Sequence, residues 1–216
     1  MSKENKTKKI SFRKMVELPS TTYATFGLYR YPAKFIPHII TYILQNYARP
    51  GMKIFDPFAG CGTVGVVSKI HGYDYELWDL NPMLNVLHSA ATMKPIEIDI
   101  GNIIQNIIQQ ISLSNEEFVP DWSRMDYWFP EEILHFLYKV WGYYHSIQEG
   151  PFKLLLTIPL LKTTRYFSYD DAQRQKLSKS LKSKKRVDLL LSCDWKNRFF
   201  HMLEQEIKKT INGVLE

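Results

Sequence analysis

The segment 53–65, with the sequence KIFDPFAGCGTVG, constrains the fold of this chain more than any other. A short apolar run ends at Asp56, three glycines follow (Gly60, Gly62 and Gly65), and the segment 66–72 is typical of a helix. Glycines at such a turn let the backbone bend sharply and let a ligand approach it closely. Their spacing matches G-x-G-x-x-G between a strand and a helix, which predicts a nucleotide- or nucleoside-binding turn.

The elements around this turn predict an α/β fold. Residues 38–46 follow Pro37 with apolar side chains at helical spacing, and residues 75–78 (YELW) are a second short strand candidate that stops at Asp79. Residues 81–93 are again typical of a helix. The order helix, strand, glycine turn, helix, strand, helix indicates a parallel sheet.

The rest of the chain is predicted to be mainly helical. Helical spacing of apolar residues is found in the segments 100–111, 130–147 and 199–215. The segment 153–161 is apolar but contains Pro159, so it is either a buried strand or a helix. We therefore predict a flexible basic arm (1–20), an α/β core (21–100) and a mainly helical extension (101–216).

Two carboxylates at the predicted strand ends indicate what the turn binds. Asp56 precedes the first glycine, where it would repel the pyrophosphate of a dinucleotide, so a dinucleotide-dependent oxidoreductase is the weakest hypothesis. A nucleoside that carries a sulfonium and an ammonium group would instead be attracted. Asp79 follows the second strand, at the place where an acid binds ribose hydroxyls in doubly wound folds. The alternative is that both acids only cap helices.

Composition excludes several classes of protein. The chain has 216 residues, 45% hydrophobic, and a net charge of +6, which is typical of a globular protein rather than a disordered one. No apolar run is long enough for a membrane span, and residues 1–14 lack the apolar core of a secretion signal. The two cysteines and six histidines have no metal-ligand spacing. We expect a cytoplasmic protein without a membrane or metal site.

The positive charge is concentrated in two segments. Residues 1–14 carry a net charge of +5, and residues 162–198 carry +7. Each segment is either a solvated charge run or a surface for nucleic-acid phosphates, which Lys and Arg bind with release of counterions. For the second segment we expect DNA contacts from these residues: Arg165, Arg174, Lys176, Lys179, Lys182, Lys184, Lys185 and Arg186.

Three segments resemble those of one family of enzymes. Residues 56–63, DPFAGCGT, resemble motif I of the amino-methylating DNA methyltransferases, which modify adenine N6 or cytosine N4; Cys61 stands where serine is commoner. Residues 31–37, YPAKFIP, resemble motif X, and residues 79–82, DLNP, resemble motif II of the same family. The resemblance covers residues 23–95.

The resemblance implies a Rossmann-like methyltransferase fold with a parallel-rich sheet. It also implies methyl transfer from S-adenosyl-L-methionine to an exocyclic amine of a base flipped out of double-stranded DNA, as in restriction-modification systems. The cofactor-binding residues that it implies are Tyr31, Pro32, Ala33, Lys34, Phe35, Asp56, Pro57, Phe58, Ala59, Gly60, Gly62, Thr63, Asp79, Leu80 and Asn81.

One motif of that family is missing. The catalytic turn, [DNS]-P-P-[YFW], occurs nowhere in the sequence, so no catalytic residue is assigned. In an enzyme with this motif order the turn would follow residue 216. We expect a partner chain or a C-terminal half to supply it and to complete the sheet. The alternatives are a catalytically inactive DNA-binding or regulatory relative and an RNA methyltransferase.

Overall fold

The computed structural model describes residues 11–32, 34–94, 99–174 and 176–215. The chain divides into two compact units, Met1–Thr92 and Met93–Glu216. The sequence predicts this boundary slightly later, at residue 100.

The first unit contains the helices and strands predicted for the α/β core, in the predicted order, preceded by two short helices that the sequence did not predict. They are α1 (Phe12–Met15), a 3₁₀ helix (Ala24–Gly27), α2 (Pro37–Tyr47), β1 (Lys53–Asp56), α3 (Thr63–Ile70), β2 (Asp74–Leu77) and α4 (Met83–Thr92). Pro37 opens α2, where its missing N–H leaves no hydrogen bond unmade.

The two strands form a parallel sheet in which Lys53 lies opposite Asp74 and Asp56 lies opposite Leu77. Helix α3 contacts both strands as well as α2 and α4. The buried core is made by Phe26, Ile40, Leu44, Val64, Val66 and Val67, and Ile54 and Leu77 of the strands pack against it. Because the strands are parallel, the side chains that follow Asp56 and Leu77 come together at one edge of the sheet.

Exposed aromatic side chains lie on the strands and just beyond β2. Phe55 is 51% exposed and Trp78 is 59% exposed, and their rings meet edge to face at 5.2 Å. Within the described ranges no third strand pairs with β1 or β2. Parallel sheets normally have both faces covered by helices. The chain therefore contains a small parallel sheet in a helix-rich protein, and the larger parallel sheet stays a prediction.

The predicted flexible arm differs from the structure where it is described. Residues 1–10 lie outside the described residues. Beyond them, Val16 is buried, and the Phe12 ring lies 5.4 Å from that of Tyr42 on α2. Residues 11–20 therefore pack on the first unit, because their apolar side chains find a surface there.

The second unit is built from helices in its described residues. They are α5 (Ile100–Leu113), α6 (Met125–Trp128), α7 (Glu131–Ser146), α8 (Pro151–Tyr166), α9 (Leu181–Leu191) and α10 (Trp195–Leu215). Their core is centred on side chains with no exposed surface: Ile133, Val140, Phe167, Val187 and Phe199.

Helices α8 and α9 add to what the sequence pattern predicts for this unit. Helix α8 settles the strand-or-helix alternative: Leu155, Leu156, Ile158 and Leu160 are all buried, so the segment shows no one-sided helical pattern. Helix α9 lies within residues 162–198, where the sequence indicates a positively charged segment and predicts no helix. The Ser180 side chain caps it by accepting a hydrogen bond from the Ser183 backbone N–H, in a capping box.

Candidate functional site

The candidate site lies at the carboxyl ends of β1 and β2. Backbone hydrogen bonds tie the turn after β1 to β2: the Trp78 N–H donates to the Asp56 carbonyl, and the Ala59 N–H donates to the Trp78 carbonyl, both at 2.9 Å. Gly60 (φ +56°) and Gly62 (φ +78°) adopt left-handed conformations that favour glycine. Gly62 caps α3. We call residues 57–62 the glycine turn.

Asp56 ends β1, and only one of its two carboxylate oxygens accepts a hydrogen bond within the described residues. The side chain is 8% exposed. Its Oδ1 accepts a hydrogen bond from the Phe58 backbone N–H at 3.0 Å. Its Oδ2 is buried and has no partner in the described residues. A buried carboxylate oxygen without a donor is costly, so a cationic or hydrogen-bonding ligand would relieve this site.

Asp79 closes the glycine turn from β2. Its Oδ2 accepts from the Gly60 N–H at 2.7 Å, and its Oδ1 accepts from the Asn81 N–H at 2.8 Å. The hydrogen bonds from Asn81 and Gly60 hold the pKa of Asp79 below its ordinary value. Each oxygen keeps acceptor capacity for a ligand hydroxyl.

The alternative that Asp56 and Asp79 only cap helices does not match their contacts in the described residues, where both carboxylates accept from the backbone of turns. The side chain that caps a helix here is that of Asn81. Its Oδ1 accepts from the Met83 N–H at 3.0 Å, which caps the start of α4.

Tyr31 and Lys34 border the turn on the side of the segment that resembles motif X. A Cβ on Gly60 would come within 3.0 Å of the Tyr31 ring, so the turn can approach Tyr31 only with glycine there. Lys34 donates a hydrogen bond to the Phe26 carbonyl. Burial lowers the pKa of Lys34, and the nearby Cys61 thiol opposes that shift. The lysine therefore has an intramolecular partner.

An open groove of about 680 Å³ adjoins the glycine turn, a size suited to a nucleoside. It is lined by Pro57, Phe58, Leu77, Trp78, Asp79, Leu80, Asn81, Pro82, Leu84 and Asn85. Phe58 is 85% exposed and Leu80 is fully exposed, so both present apolar surface to a ligand in this groove. Leu77, Trp78, Leu84 and Asn85 were not predicted, because no family motif marks them; Pro82 ends the segment that resembles motif II but was not among the predicted cofactor residues.

His88 packs against the glycine turn at Gly62, and the sequence did not predict this role. Its Nδ1 lies 2.9 Å from the position that a Cβ on Gly62 would take, and its Nε2 shares a hydrogen bond of 2.9 Å with the Tyr75 hydroxyl. Burial lowers the pKa of His88, and the charge of Lys69 acts in the same direction. The sequence interpretation treats all histidines as ordinary, since the packing of α4 under the turn leaves no local signal.

For the remaining residues that were predicted to bind the cofactor, the structure gives few contacts. Ala33 lies outside the described residues, while Pro32 and Phe35 are exposed. The Cys61 thiol lies 3.4 Å from the hydroxyl of the buried Thr63.

The eight cations predicted to contact DNA fall into three groups. Arg165 and Arg186 have intramolecular partners: the Arg165 Nε donates to the buried carboxylate of Asp170 at 2.7 Å, and Arg186 donates to the carbonyls of Ser168 and Asp170. Lys179 lies 3.5 Å over the Tyr127 ring. The exposed members are Arg174, Lys176, Lys182, Lys184 and Lys185. Arg124, which is also exposed and stacks on Tyr127, was not predicted.

The described residues form neither a metal-binding cluster nor a membrane-spanning helix. No group of three or more His, Cys, Asp and Glu side chains is placed to hold a metal ion. No helix in the described ranges combines the length and the apolar character that crossing a bilayer requires.

The chain is similar to the Type II methyltransferase M.MvaI of Kocuria varians. The two are 26% identical over 161 residues, which cover 69% of this chain. The chain spans about a third of the length of that curated relative, 36%. No family model matches the chain, and no solved structure matches it with significance.

Proposed function

We propose that the first unit binds S-adenosyl-L-methionine. We further propose that the chain is the cofactor-binding portion of a cytoplasmic DNA methyltransferase that modifies the exocyclic amine of adenine (N6) or cytosine (N4). The similarity to a Type II methyltransferase and the three motif-like segments support this class. The observation that carries the proposal is the buried Oδ2 of Asp56 beside the glycine turn, which has no hydrogen-bond partner among the described residues.

The charges of the site favour this cofactor over a dinucleotide. A pyrophosphate at the glycine turn would meet the buried carboxylate of Asp56, whose Oδ2 has no cation beside it in the described residues. The ammonium of the cofactor would instead donate to that oxygen. Asp79 would accept from the ribose hydroxyls while it keeps the Gly60 N–H, and the adenine ring would lie in the groove beside Phe58 and Leu80.

The reaction needs little chemistry from this chain. When bound, the cofactor supplies an electrophilic methyl group on its sulfonium sulfur. The chain's own residues hold that end in place by charge at Asp56 and fix the turn through Asp79 and His88. Such positioning is a large part of the catalysis of an in-line transfer. A polar turn that accepts the protons of the attacking amine is still needed, and this sequence has no [DNS]-P-P-[YFW] turn.

We propose that a second chain or a C-terminal half supplies this turn on further strands. The two-stranded sheet with its exposed Phe55 and Trp78 supports the proposal, because a parallel sheet of this size is marginal alone. A strand added beside β1 would bring its own carboxyl end next to Asp56 and the glycine turn. The length of the relative is also consistent with a larger enzyme.

Isothermal titration of the full chain with S-adenosylmethionine tests cofactor binding. We expect Asp56→Asn to bind about thirtyfold more weakly, because a hydrogen bond between charged groups contributes about 2 kcal/mol. The matched control is Asp74→Asn, an exposed acid at the start of β2, far from the turn along the strand. Absence of binding to the folded chain at millimolar ligand, or equal binding by Asp56→Asn, would refute the proposal.

Activity is tested by co-expression with a reading frame that begins with a Ser/Asp/Asn-Pro-Pro-Tyr turn. We expect transfer of a tritiated methyl group to duplex DNA only when both chains are present. Cofactor-independent DNA binding without transfer would support the inactive regulatory relative, and transfer to RNA would support an RNA methyltransferase.

A further inference from the structure

A short basic hairpin projects from the second unit. Asp170 and Lys179 form an antiparallel bridge, and the Asp171 N–H donates to the Ser178 carbonyl at 2.8 Å. Between these ends Arg174, Lys176 and Leu177 are exposed. We call residues 171–174 and 176–178 the basic hairpin. Its shape is a loop closed at its base, with charged and apolar side chains beyond it.

The base of the basic hairpin is fixed by buried interactions. Asp170 is 2% exposed, and its carboxylate accepts from the Arg165 Nε at 2.7 Å and from the Ser178 N–H at 3.0 Å. On the other strand the Lys179 ammonium lies 3.5 Å over the Tyr127 ring and 4.6 Å over the Tyr169 ring. Cation–π contacts of this kind hold a lysine in place. The hairpin is therefore anchored on both of its strands.

The surface beside the hairpin is positively charged. Lys182 on α9 donates to the Gln173 side chain at 3.4 Å, so the first turn of α9 adjoins the hairpin. The exposed cations of this surface are Arg124, Arg174, Lys176, Lys182, Lys184 and Lys185. In residues 171–186 the acid is Asp171, whose side chain is only 13% exposed. Beside Arg124 the exposed Asp126 also lies near Lys179, so the cations outnumber the acids without being free of them. The charge is complementary to closely spaced phosphates.

Leu177 is apolar, 63% exposed, and placed among these cations. An exposed leucine contributes little hydrophobic stabilisation to the fold. Proteins that distort DNA insert such apolar side chains between base steps. An enzyme that modifies a base has to remove it from the stack and leaves a space there. A leucine on a loop whose base is fixed has the size and shape to fill that space.

We propose that the basic hairpin and the start of α9 bind the phosphates of duplex DNA, and that Leu177 enters the stack where a base has been displaced. This inference rests on the proposed function, because only a base-modifying enzyme needs such a wedge. The exposed lysines and arginines supply affinity without sequence preference, and Leu177 supplies a preference for an opened duplex.

Binding of the full chain to short fluorescent duplexes tests the inference. One duplex is intact, and the other has the same sequence with a single abasic site, so neither the recognition sequence nor the cofactor is needed. We expect tighter binding to the abasic duplex. Leu177→Ala should reduce this preference by about tenfold, the effect of losing most of one buried leucine, and leave binding to the intact duplex within about twofold.

Two control variants separate the roles of shape and charge. Leu189→Ala removes another exposed leucine near the end of α9 and should leave the preference unchanged. Lys182→Gln combined with Lys185→Gln should weaken binding to both duplexes equally and reduce its dependence on salt. Equal binding of the two duplexes by the wild type, an unchanged preference in Leu177→Ala, or a matching loss in Leu189→Ala would each overturn the inference, as would equal affinity for an RNA duplex.

Titration of the same samples with S-adenosylmethionine keeps the two proposals apart. Cofactor binding without a preference for the abasic duplex would overturn the role of Leu177 alone. The preference without cofactor binding would overturn the proposed function of the first unit and leave the DNA surface intact. Thermal unfolding of each variant confirms that the hairpin substitutions leave the fold in place.

Discussion

Replacing Gly62 with alanine should destabilise the fold in two ways, by a steric overlap with His88 and by a strained backbone conformation. Suitable variants separate the two effects. A Cβ at this position would lie 2.9 Å from the His88 Nδ1 and 3.1 Å from the His88 Cβ, closer than ordinary contacts. The backbone there also has φ +78°, a conformation that alanine rarely adopts. Gly72 has nearly the same conformation, φ +74°, but nothing lies within 4 Å of its Cβ position.

These two glycines therefore form a matched pair. For a residue with a side chain, the left-handed conformation lowers the free energy of unfolding by about 1–2 kcal/mol. Alanine also restricts the unfolded chain, which offsets about 0.4–1 kcal/mol of this loss. We expect Gly72→Ala to destabilise the first unit by about 1 kcal/mol. The overlap with His88 adds about 1–3 kcal/mol. Gly62→Ala should therefore cost about 3 kcal/mol, and a double-mutant cycle with His88→Ala should show a coupling of about 1–2 kcal/mol.

Hydrogen exchange followed by mass spectrometry measures the free energy of opening in α3 itself, apart from the second unit. The amides of α3 should open most readily in Gly62→Ala, and less so in Gly62→Ala/His88→Ala than the two single variants predict together. If Gly62→Ala proves as mild as Gly72→Ala, or if the cycle shows no coupling, His88 does not support the turn as described.

Two further predictions concern acids with defined partners. The pKa of Asp79 is lowered in the folded chain by the Asn81 and Gly60 amides, so its contribution to stability is present above the unfolded pKa of about 3.9 and is lost as the pH falls. The Gly60 amide resonance should titrate in this acidic range in the wild type and not in Asp79→Asn. Asp170→Asn should destabilise the second unit by about 2–3 kcal/mol in urea unfolding, since it leaves Arg165 without its buried partner, whereas Asp188→Asn, an exposed acid on α9, should have little effect.

The glycine turn could be predicted from sequence because its determinants are local. Asp56, Gly60 and Gly62 lie within one short segment, and a strand before them and a helix after them are enough to define the geometry. The support from His88 and Tyr75 could not be predicted, since it depends on how α4 packs under α3. The extent of the sheet is likewise a property of distant pairing, which no local pattern reports.

The basic segment 162–198 shows the same limit of prediction from local sequence. Lysines and arginines in α9 conceal its apolar side, where Val187 has no exposed surface and Leu190 only 2%. A count of charges also cannot tell Arg165 and Arg186, which stabilise the hairpin base, from Lys182 and Lys185, which face solvent. The difference lies in partners that the fold brings near: Asp170 for Arg165 and the Ser168 carbonyl for Arg186.

The small parallel sheet has a consequence for how this chain must be made. Outer strands with free main-chain groups are templates for any extended segment, including the same strand of another molecule. Phe55 and Trp78 add an adhesive aromatic surface beside them. If another chain completes the sheet, as proposed above, copies synthesised in excess of that chain would pair with one another through these strands, and we expect aggregation during synthesis to lower the yield.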